Sequence, residues 1–281
     1  MALTVENLSK VYETSEGGKN TALENVTMRI EDGEFVTIIG PSGCGKSTLL
    51  HCLGGLLSLT SGTIKVDDRL IVSPDPKLAA FVFQDYSLLP WKTILDNTSI
   101  GLRFAGDSKK SAHAKGMEML SLVGLTDYAN AFPHQLSGGM QQRVAVARAM
   151  AMEPRMLLMD EPFGALDEQT RRHLGFEMSS MLSKSKSTVA LVTHSLDEAI
   201  LWADRIIVLG ARPGRILSEI LIPEPRPRKL DCMREPWFNE IRGKLFSLLE
   251  APSGGFSTET GETDTDVFKL EIEQEHFHAR D

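Results

Sequence analysis

The sequence contains few cysteines and no long apolar run. Cys44, Cys52 and Cys232 are the only cysteines among 281 residues. Because their number is odd and their spacing forms no disulfide framework, we expect reduced thiols. No apolar run approaches the ~18 residues that a membrane-spanning helix needs. The N-terminus lacks a basic segment followed by an apolar core, so we expect no signal peptide. A role at a membrane would therefore depend on a partner protein.

The sequence also lacks an excess of basic residues. Thirty Lys and Arg residues stand against 38 Asp and Glu residues, which gives a formal net charge of −8. Residues 251–281 contain eight acidic and two basic residues, so this tail carries most of the negative charge. A nucleic-acid-binding domain usually has a broad basic surface. We therefore expect no nucleic-acid partner.

A glycine-rich loop lies between a strand pattern and a helix pattern. Residues 34–39 are apolar and β-branched, which predicts a buried strand, and apolar residues recur at helical spacing after the loop. The loop fits G-x-x-x-x-G-K-[ST], the phosphate-binding P-loop, whose backbone N–H groups and helix N-terminus face an anion. Lys46 would reach the β- and γ-phosphates, and Ser47 would ligate Mg²⁺. The candidate nucleotide-binding residues of the loop are Gly40, Ser42, Gly43, Cys44, Gly45, Lys46, Ser47 and Thr48.

Cys44 lies inside this loop. It lies beside Lys46 and near the predicted N-terminus of a helix, and both features lower the pKa of a thiol. We therefore expect a thiolate that reacts readily with electrophiles.

A second acidic element follows another buried-strand pattern. Residues 155–159 are mostly apolar and are followed by Asp160 and Glu161. In a P-loop protein, Asp160 would hold Mg²⁺ and Glu161 would act as the general base toward the attacking water. Without the P-loop, the same pattern would be a strand followed by a solvated acidic turn.

A third element lies at the start of a predicted long helix. Ser137 can cap this helix, and Gly138 and Gly139 would expose backbone N–H groups at its positive end. The pattern predicts a second anion-binding site without a lysine. An ordinary helix cap is the alternative interpretation.

Strand and helix patterns alternate from residue 156 to residue 209, which favours a mostly parallel sheet flanked by helices. Residues 93–151 have a helical pattern, whereas the N-terminal residues favour antiparallel strands. We read residues 223–229 as a proline-rich linker, followed by a last helix. Residues 251–281 differ in composition, and we expect a flexible acidic tail there.

These elements together resemble the ATP-binding subunit of an ABC transporter over nearly all of residues 1–250. Leu136–Arg143, which reads LSGGMQQR, is similar to the family signature. The resemblance implies that Tyr12 stacks on adenine, although an ordinary tyrosine at the end of a strand is the alternative. It also implies that Gln84 senses Mg²⁺ and the γ-phosphate and that His194 is the switch histidine. Gly164–Asp167 would form the D-loop, in which Gly164 replaces the more usual serine.

The resemblance also implies a fold, a cofactor and an assembly. The fold would be an α/β P-loop NTPase, with a RecA-like, mostly parallel core, an antiparallel β appendage and a helical subdomain at approximately residues 93–151. The bound species would be ATP and Mg²⁺. Two copies would form a head-to-tail dimer, in which Ser137 and Gly139 of one subunit close on the γ-phosphate held by the P-loop of the other.

Within the family, the sequence looks most like the importer subunits for nitrate, sulfonate and taurine. The similarity includes Tyr86–Trp91, which ends in LLPW, and Leu209–Ile216. It implies an ATPase on the cytoplasmic face of the cell membrane, bound to permease subunits and served indirectly by a solute-binding protein. Leu89–Trp91 would receive a helix of the permease, or would alternatively pack internally.

Two other functions remain open at this point. A soluble ABC-type ATPase that is not coupled to transport is the main alternative, although the tandem domains, coiled-coil insertions or basic surfaces common in that class are lacking. A binding-only regulator would need inactive sites, whereas Lys46, Glu161 and His194 are all present. The tail at residues 251–281 could be regulatory, contact a partner or be passive.

Overall fold

The computed structural model describes residues 2–13, 17–164, 171, 175, 176, 178–180, 182 and 187–250. The strands are β1 Leu3–Glu13, β2 Lys19–Ile30, β3 Phe35–Ile39, β4 Ser61–Val66, β5 Arg69–Leu70, β6 Ala79–Val82, β7 Met156–Asp160, β8 Thr188–Val192, β9 Arg205–Leu209 and β10 Ile216–Leu221. The labelled helices are α1 Lys46–Leu53, α2 Ile94–Phe104, α3 Lys109–Leu122, α4 Gly138–Ala151, α5 Leu196–Trp202 and α6 Pro236–Glu250. Short 3-10 helices lie at Thr126–Tyr128, Pro133–Gln135 and Leu230–Arg234. The described residues between 171 and 182 are also helical.

A six-stranded sheet with the order β10-β9-β3-β8-β7-β6 forms the centre of the fold. All neighbouring pairs are parallel except β10, which pairs antiparallel with β9 at one edge. Every residue of β3 and β8 is buried, as expected for parallel strands that are covered on both faces. The carboxyl ends of β3 and β7 therefore lie at the same edge, which brings the P-loop and Asp160 together.

A second sheet, with the order β2-β1-β4-β5, is antiparallel. Along β2 the buried residues Leu23, Val26, Met28 and Ile30 alternate mostly with more exposed ones, because successive side chains of a strand point to opposite faces. They join an apolar cluster that also contains Ile38 of β3 and residues of α1. Helix α1 and the P-loop before it are thus held between two sheets.

Helices α2, α3 and α4 pack against one another and form a small core of their own. Each begins after a hydroxyl residue, Thr93, Ser108 or Ser137, whose side chain accepts a backbone N–H of the first turn. The apolar side chains of this core are Ile94, Leu120, Leu125, Ala129, Leu136 and Val144. The predicted fold class, a mostly parallel α/β core with an antiparallel β appendage and a helical subdomain, is confirmed.

As expected for a linker, residues 223–229 form neither helix nor strand, yet Arg228 in this segment is 5% exposed. Its guanidinium donates to the carbonyl oxygens of Ile200, Leu201 and Ala203 at 3.0, 3.2 and 2.7 Å. The segment therefore satisfies the C-terminal carbonyls of α5 and anchors the last helix.

Candidate nucleotide site

The P-loop connects β3 to α1 at the carboxyl edge of the parallel sheet. Gly43 has a φ of 74° and Gly45 a φ of 101°, a left-handed region that favours glycine. A Cβ at Gly45 would lie 2.8 Å from both the carbonyl oxygen of Ala22 and a methyl carbon of Leu23. These two glycines therefore let the loop curve tightly while β2 packs directly against it. Such a cradle of backbone N–H groups at a helix N-terminus fits a phosphate group.

Lys46 occupies the first position of α1 and is 7% exposed. Its ammonium donates to the carbonyl oxygens of Gly40 and Pro41 at 2.8 and 3.0 Å. These bonds hold the charge inside the curve of the loop. A buried ammonium that faces the loop interior is suited to bind a phosphate oxygen.

Asp160 ends β7 next to the start of α1. The hydroxyl of Ser47 donates to Oδ1 of Asp160 at 3.1 Å. A hydroxyl and a carboxylate are both hard oxygen ligands of the kind that Mg²⁺ prefers. In the described part of the chain, no group of three or more His, Cys, Asp or Glu side chains could hold a metal ion. The pair thus fits a cation that takes its remaining ligands from phosphate and water.

Glu161 follows directly and has a left-handed backbone, with a φ of 44°. Its N–H donates to the carbonyl oxygen of Val192 in β8 at 2.9 Å. Its carboxylate is 16% exposed and lies 3.1 Å from Nδ1 of His194. Strained backbone of this kind costs about 1–3 kcal/mol and is common at active sites. The carboxylate of Glu161 thus lies next to the imidazole of His194, where β7 and β8 end.

His194 follows β8, where a small network holds the chain. The hydroxyl of Thr193 donates to the carboxylate of Glu198 at 2.5 Å, and the N–H of Ser195 donates to the same hydroxyl at 3.1 Å. The hydroxyl of Ser195 in turn accepts the N–H of Glu198 and caps α5. The residues on both sides of His194 are therefore fixed, whereas the imidazole itself is 63% exposed.

Of these groups, the P-loop, Lys46, Ser47, Glu161 and His194 border one cavity of about 800 Å³, whereas Asp160 does not. Ten of the predicted site residues line it: Tyr12, Gly40, Ser42, Gly43, Gly45, Lys46, Ser47, Thr48, Glu161 and His194. Tyr12 lies at the end of β1 and is 37% exposed, with the ammonium of Lys10 5.2 Å from its ring centroid. The cavity thus has a phosphate-binding end at the P-loop, a carboxylate–imidazole pair and an exposed aromatic ring.

Our expectation for Cys44 was wrong. Its side chain is 1% exposed, and burial raises the pKa of the thiol, although the charge of Lys46 opposes this shift. The Sγ atom lies 2.7 Å from the position that a Cβ on Gly40 would occupy, so it packs beneath the loop. Cys44 therefore acts as a small apolar residue that supports the P-loop and is not a reactive thiolate.

Other predicted residues do not border this cavity. Gln84 is exposed, but its amide nitrogen lies 3.6 Å from the position of a Cβ on Gly164, in the turn that follows Glu161. Ser137, Gly138 and Gly139 lie at the N-terminus of α4, where Ser137 accepts the N–H of Met140. Asp167 and the tail at residues 251–281 lie outside the described residues. Within one chain, the P-loop therefore borders the cavity, whereas the glycine-rich start of α4 does not.

Sequence reasoning missed several residues that line the cavity. Asn20, Thr21 and Ala22 come from the start of β2, Arg212 from the loop between β9 and β10, and Leu249 from the end of α6. These residues belong to no local motif next to the P-loop. Arg212 lies within Leu209–Ile216, a segment that resembles the importer subunits, but that resemblance gave no indication of where the segment would lie.

The loop that follows Gln84 is clamped by two helices. The side-chain amide of Asn97 in α2, which is fully buried, accepts the N–H of Leu89 at 2.7 Å and donates to three carbonyl oxygens of the loop and helix start. Arg148 in α4 donates to the carbonyl oxygens of Tyr86 and Ser87 at 2.8 and 2.7 Å. These contacts couple the loop to the helical subdomain while Trp91 remains 70% exposed.

Replacing Asn97 by Ala is expected to lower the free energy of unfolding by about 1–3 kcal/mol, because buried N–H and C=O groups would lose their partner. Denaturant unfolding would measure the change. Asn239→Ala is a matched control, since Asn239 is exposed on α6 and its side chain bonds nearby groups, the carbonyl oxygen of Glu235 and the guanidinium of Arg242. A midpoint for Asn97→Ala equal to that of the control would contradict the clamp.

In the described part of the chain, no helix combines the length and apolarity that crossing a lipid bilayer requires.

Comparison with known proteins places this geometry in a family. Residues 23–164 match the family described as ABC transporter. A bicarbonate transport ATP-binding protein of Synechocystis sp. is 42% identical over 251 residues, which are 88% of this chain and 88% of the relative. A taurine import ATP-binding protein of Rhizobium johnstonii is 44% identical over 256 residues, covering 89% of this chain and 97% of the relative.

Solved structures agree with this assignment. A dimeric ATP-binding cassette in a post-hydrolysis state, bound to ADP and Pi, matches with a TM-score of 0.70 and 34% identity. The match covers 79% of this chain and all of that one. The P-loop, the carboxylates at the end of β7 and the histidine that follows β8 thus lie on the fold of a nucleotide-binding cassette. The chain belongs to the ABC transporter family as an ATP-binding subunit with a P-loop NTPase fold.

Proposed function

We propose that this chain is the ATP-hydrolysing subunit of a membrane importer for a small anionic solute. The observation that carries the catalytic part is the Glu161–His194 pair, 3.1 Å apart and bordering the same cavity as the P-loop. A regulator that only binds nucleotide would not need this pair. The roles assigned to the individual site residues belong to the same proposal.

Hydrolysis requires a positioned water and a stabilised phosphoryl group. Glu161 accepts the proton of the attacking water, and His194 orients that carboxylate. Lys46 and the P-loop N–H groups bind the phosphates. Ser47 and Asp160 would hold Mg²⁺, which Gln84 would sense, and the ion would supply positive charge against the phosphate oxygens. Tyr12 offers its ring to the adenine.

The complete site needs a second copy of the chain. Ser137, Gly138 and Gly139 form a glycine-rich helix start that lies away from the cavity of their own subunit. In a head-to-tail dimer, this helix start would face the γ-phosphate bound by the partner, and Asp167 would approach the same boundary. ATP binding then closes the dimer and hydrolysis reopens it. The dimeric state of the related cassette supports this arrangement.

The transport part of the proposal rests on the relatives. One is a bicarbonate transport subunit and another a taurine import subunit, and both cover most of this chain. Bicarbonate and taurine are small solutes that carry a negatively charged group. We infer that the chain works on the cytoplasmic face of the membrane, attached to permease subunits and served by a solute-binding protein. The solute itself would be chosen by those other chains.

Residues 1–250 would form the ABC ATPase domain, with a helical subdomain at approximately residues 93–151 and an acidic tail at residues 251–281.

The contact with the permease would lie at Leu89–Trp91. Trp91 is 70% exposed, while Asn97 and Arg148 hold the backbone around it. A fixed, exposed aromatic ring is suited to anchor a partner helix.

Trp91→Ala should weaken copurification of the co-expressed permease by about tenfold or more, because a buried aromatic anchor is commonly worth at least 2 kcal/mol at an interface. The ATPase activity of the isolated subunit serves to show that the variant is folded. Phe104→Ala is the matched control, since Phe104 is 85% exposed at the end of α2. Equal recovery of permease by both variants would contradict docking at Trp91.

Proteoliposomes that contain the permease, this chain and the solute-binding protein would test the whole proposal. We expect ATP-dependent uptake of labelled bicarbonate, nitrate or taurine, with ATPase activity stimulated by the loaded binding protein. The soluble ABC-type ATPase would be indicated by two results together: the chain hydrolyses ATP at a rate that the permease does not change, and none of these anions is taken up.

A further inference from the structure

The loop between β9 and β10 brings an arginine to the nucleotide cavity. Arg212 borders the same cavity as Lys46, although 166 positions separate the two residues in the sequence. The Nη2, Nε and Cζ atoms of Arg212 lie 3.1, 3.7 and 3.9 Å from the position that a Cβ on Gly43 would occupy. The guanidinium is therefore in the space directly beside the P-loop backbone.

The loop that carries Arg212 is fixed to the rest of the site. Gly214 donates its N–H to the carbonyl oxygen of Ala22 at 2.9 Å and accepts the N–H of Glu24 at 3.0 Å. A Cβ on Gly214 would lie only 2.1 Å from the carbonyl oxygen of Cys44, so the loop touches the P-loop itself. Nε of Arg215 bonds the carboxylate of Glu24 at 2.9 Å. The position of Arg212 is thus set by β2 and the P-loop.

Arg212 differs from the other arginines of this region in its contacts. Arg205, Arg215 and Arg226 pair with carboxylates, and Arg228 bonds carbonyl oxygens. Within the described ranges, by contrast, the exposed guanidinium of Arg212 makes no hydrogen bond or ion pair. Among the residues that the structure describes, the carboxylate that borders the cavity belongs to Glu161, which faces His194. A fixed cation without a protein partner beside a phosphate loop is suited to an anionic ligand.

We propose that Arg212 binds the phosphates of the nucleotide, as a second cation that acts together with Lys46. This inference rests on the proposed function, because it assumes that the nucleotide occupies this cavity. A guanidinium presents several N–H groups in one plane and can bind two phosphate oxygens as a bidentate pair, a planar geometry that an ammonium lacks. Lys46 reaches the phosphates from inside the loop, and Arg212 reaches them from the side of Gly43.

The test is equilibrium binding of MgATP, MgADP and adenosine to Arg212→Gln and Arg212→Lys in the full chain. We expect the glutamine variant to bind MgATP and MgADP about tenfold more weakly, since a charge-assisted hydrogen bond is lost. Adenosine lacks phosphate and should bind with unchanged affinity. The lysine variant should recover part of the loss. Because Arg212 is exposed, the difference from wild type should shrink as the salt concentration rises.

Arg69→Gln is the control for a general change in charge, since the side chain of Arg69 is 85% exposed and the residue does not border the cavity. Lys46→Ala separates the two proposals: if that variant also binds MgATP like the wild type, the nucleotide lies elsewhere and the proposed function fails. If Lys46→Ala loses binding but Arg212→Gln does not, the role of Arg212 is refuted.

Three further results would also overturn the inference. The first is equal weakening of adenosine and MgATP binding, which would point to the base or to the fold. The second is a lower melting temperature of nucleotide-free Arg212→Gln that Arg212→Lys does not restore, which would indicate a structural role. The third is tighter nucleotide binding by Arg212→Gln, which would mean that the side chain obstructs the site.

Discussion

Glu161→Gln is expected to lower the rate of ATP hydrolysis about 10²- to 10⁴-fold, the usual range for a general base. The substitution preserves the size of the side chain and its capacity to bond His194 at 3.1 Å. It removes the ability to accept a proton from water at neutral pH. Phosphate release measured at saturating MgATP tests the rate, and equilibrium titration tests whether binding is preserved.

The same variant should reveal the dimer. Because hydrolysis is what reopens the closed pair, Glu161→Gln should accumulate as a dimer when MgATP is added and remain monomeric with MgADP. Light scattering would report the mass under both conditions. Glu118→Gln is the control, since Glu118 lies on α3 and pairs with Lys115 at the surface. A Glu161→Gln variant that stays monomeric in millimolar MgATP would contradict the sandwich arrangement.

Gly214→Ala is expected to lower the rate of hydrolysis about 100-fold, since small displacements of catalytic geometry can have effects of this size. The added Cβ would lie 2.1 Å from the carbonyl oxygen of Cys44 and 3.0 Å from that of Ala22. Both contacts are with backbone, so the P-loop must move. The free energy of unfolding should also fall by about 1–3 kcal/mol, as for other overpacked sites.

Gly243→Ala provides the comparison for this variant. Gly243 lies in α6, and a Cβ there would meet nothing within 4 Å. Alanine should therefore stabilise that helix by about 0.5–1 kcal/mol. Denaturant unfolding and steady-state hydrolysis of both variants would be measured together. Wild-type activity in Gly214→Ala would refute the close contact between the β9–β10 loop and the P-loop.

Much of the site could be predicted because its parts are local in sequence. A P-loop is a strand, nine residues and a helix, so its spacing is visible in the chain. The Asp160–Glu161 pair is likewise the end of one apolar strand. The structure also brings together Ser47 and Asp160, as well as Glu161 and His194. Parallel strands end at one edge of a sheet, which is why separate motifs meet there.

Other features could not be predicted, because they depend on contacts between distant segments. The spacing of Arg228 and its neighbouring prolines is typical of a linker, yet its guanidinium bonds the end of α5. Asn97 has the pattern of an ordinary helix residue, although it holds the loop at Leu89. The pKa of Cys44 was predicted from neighbours in the chain, whereas burial raises it.

The sequence by itself determined the P-loop, the acidic pair at the end of β7, the histidine after β8 and the α/β class, because each depends on residue type at short spacing. The tertiary structure decided what surrounds them. Only the packing of the β9–β10 loop against β2 placed Arg212 beside Gly43. Only the pairing of β7 with β8 placed the carboxylate of Glu161 next to His194. Both depend on contacts between strands that are distant in the chain, and residue spacing does not encode such contacts.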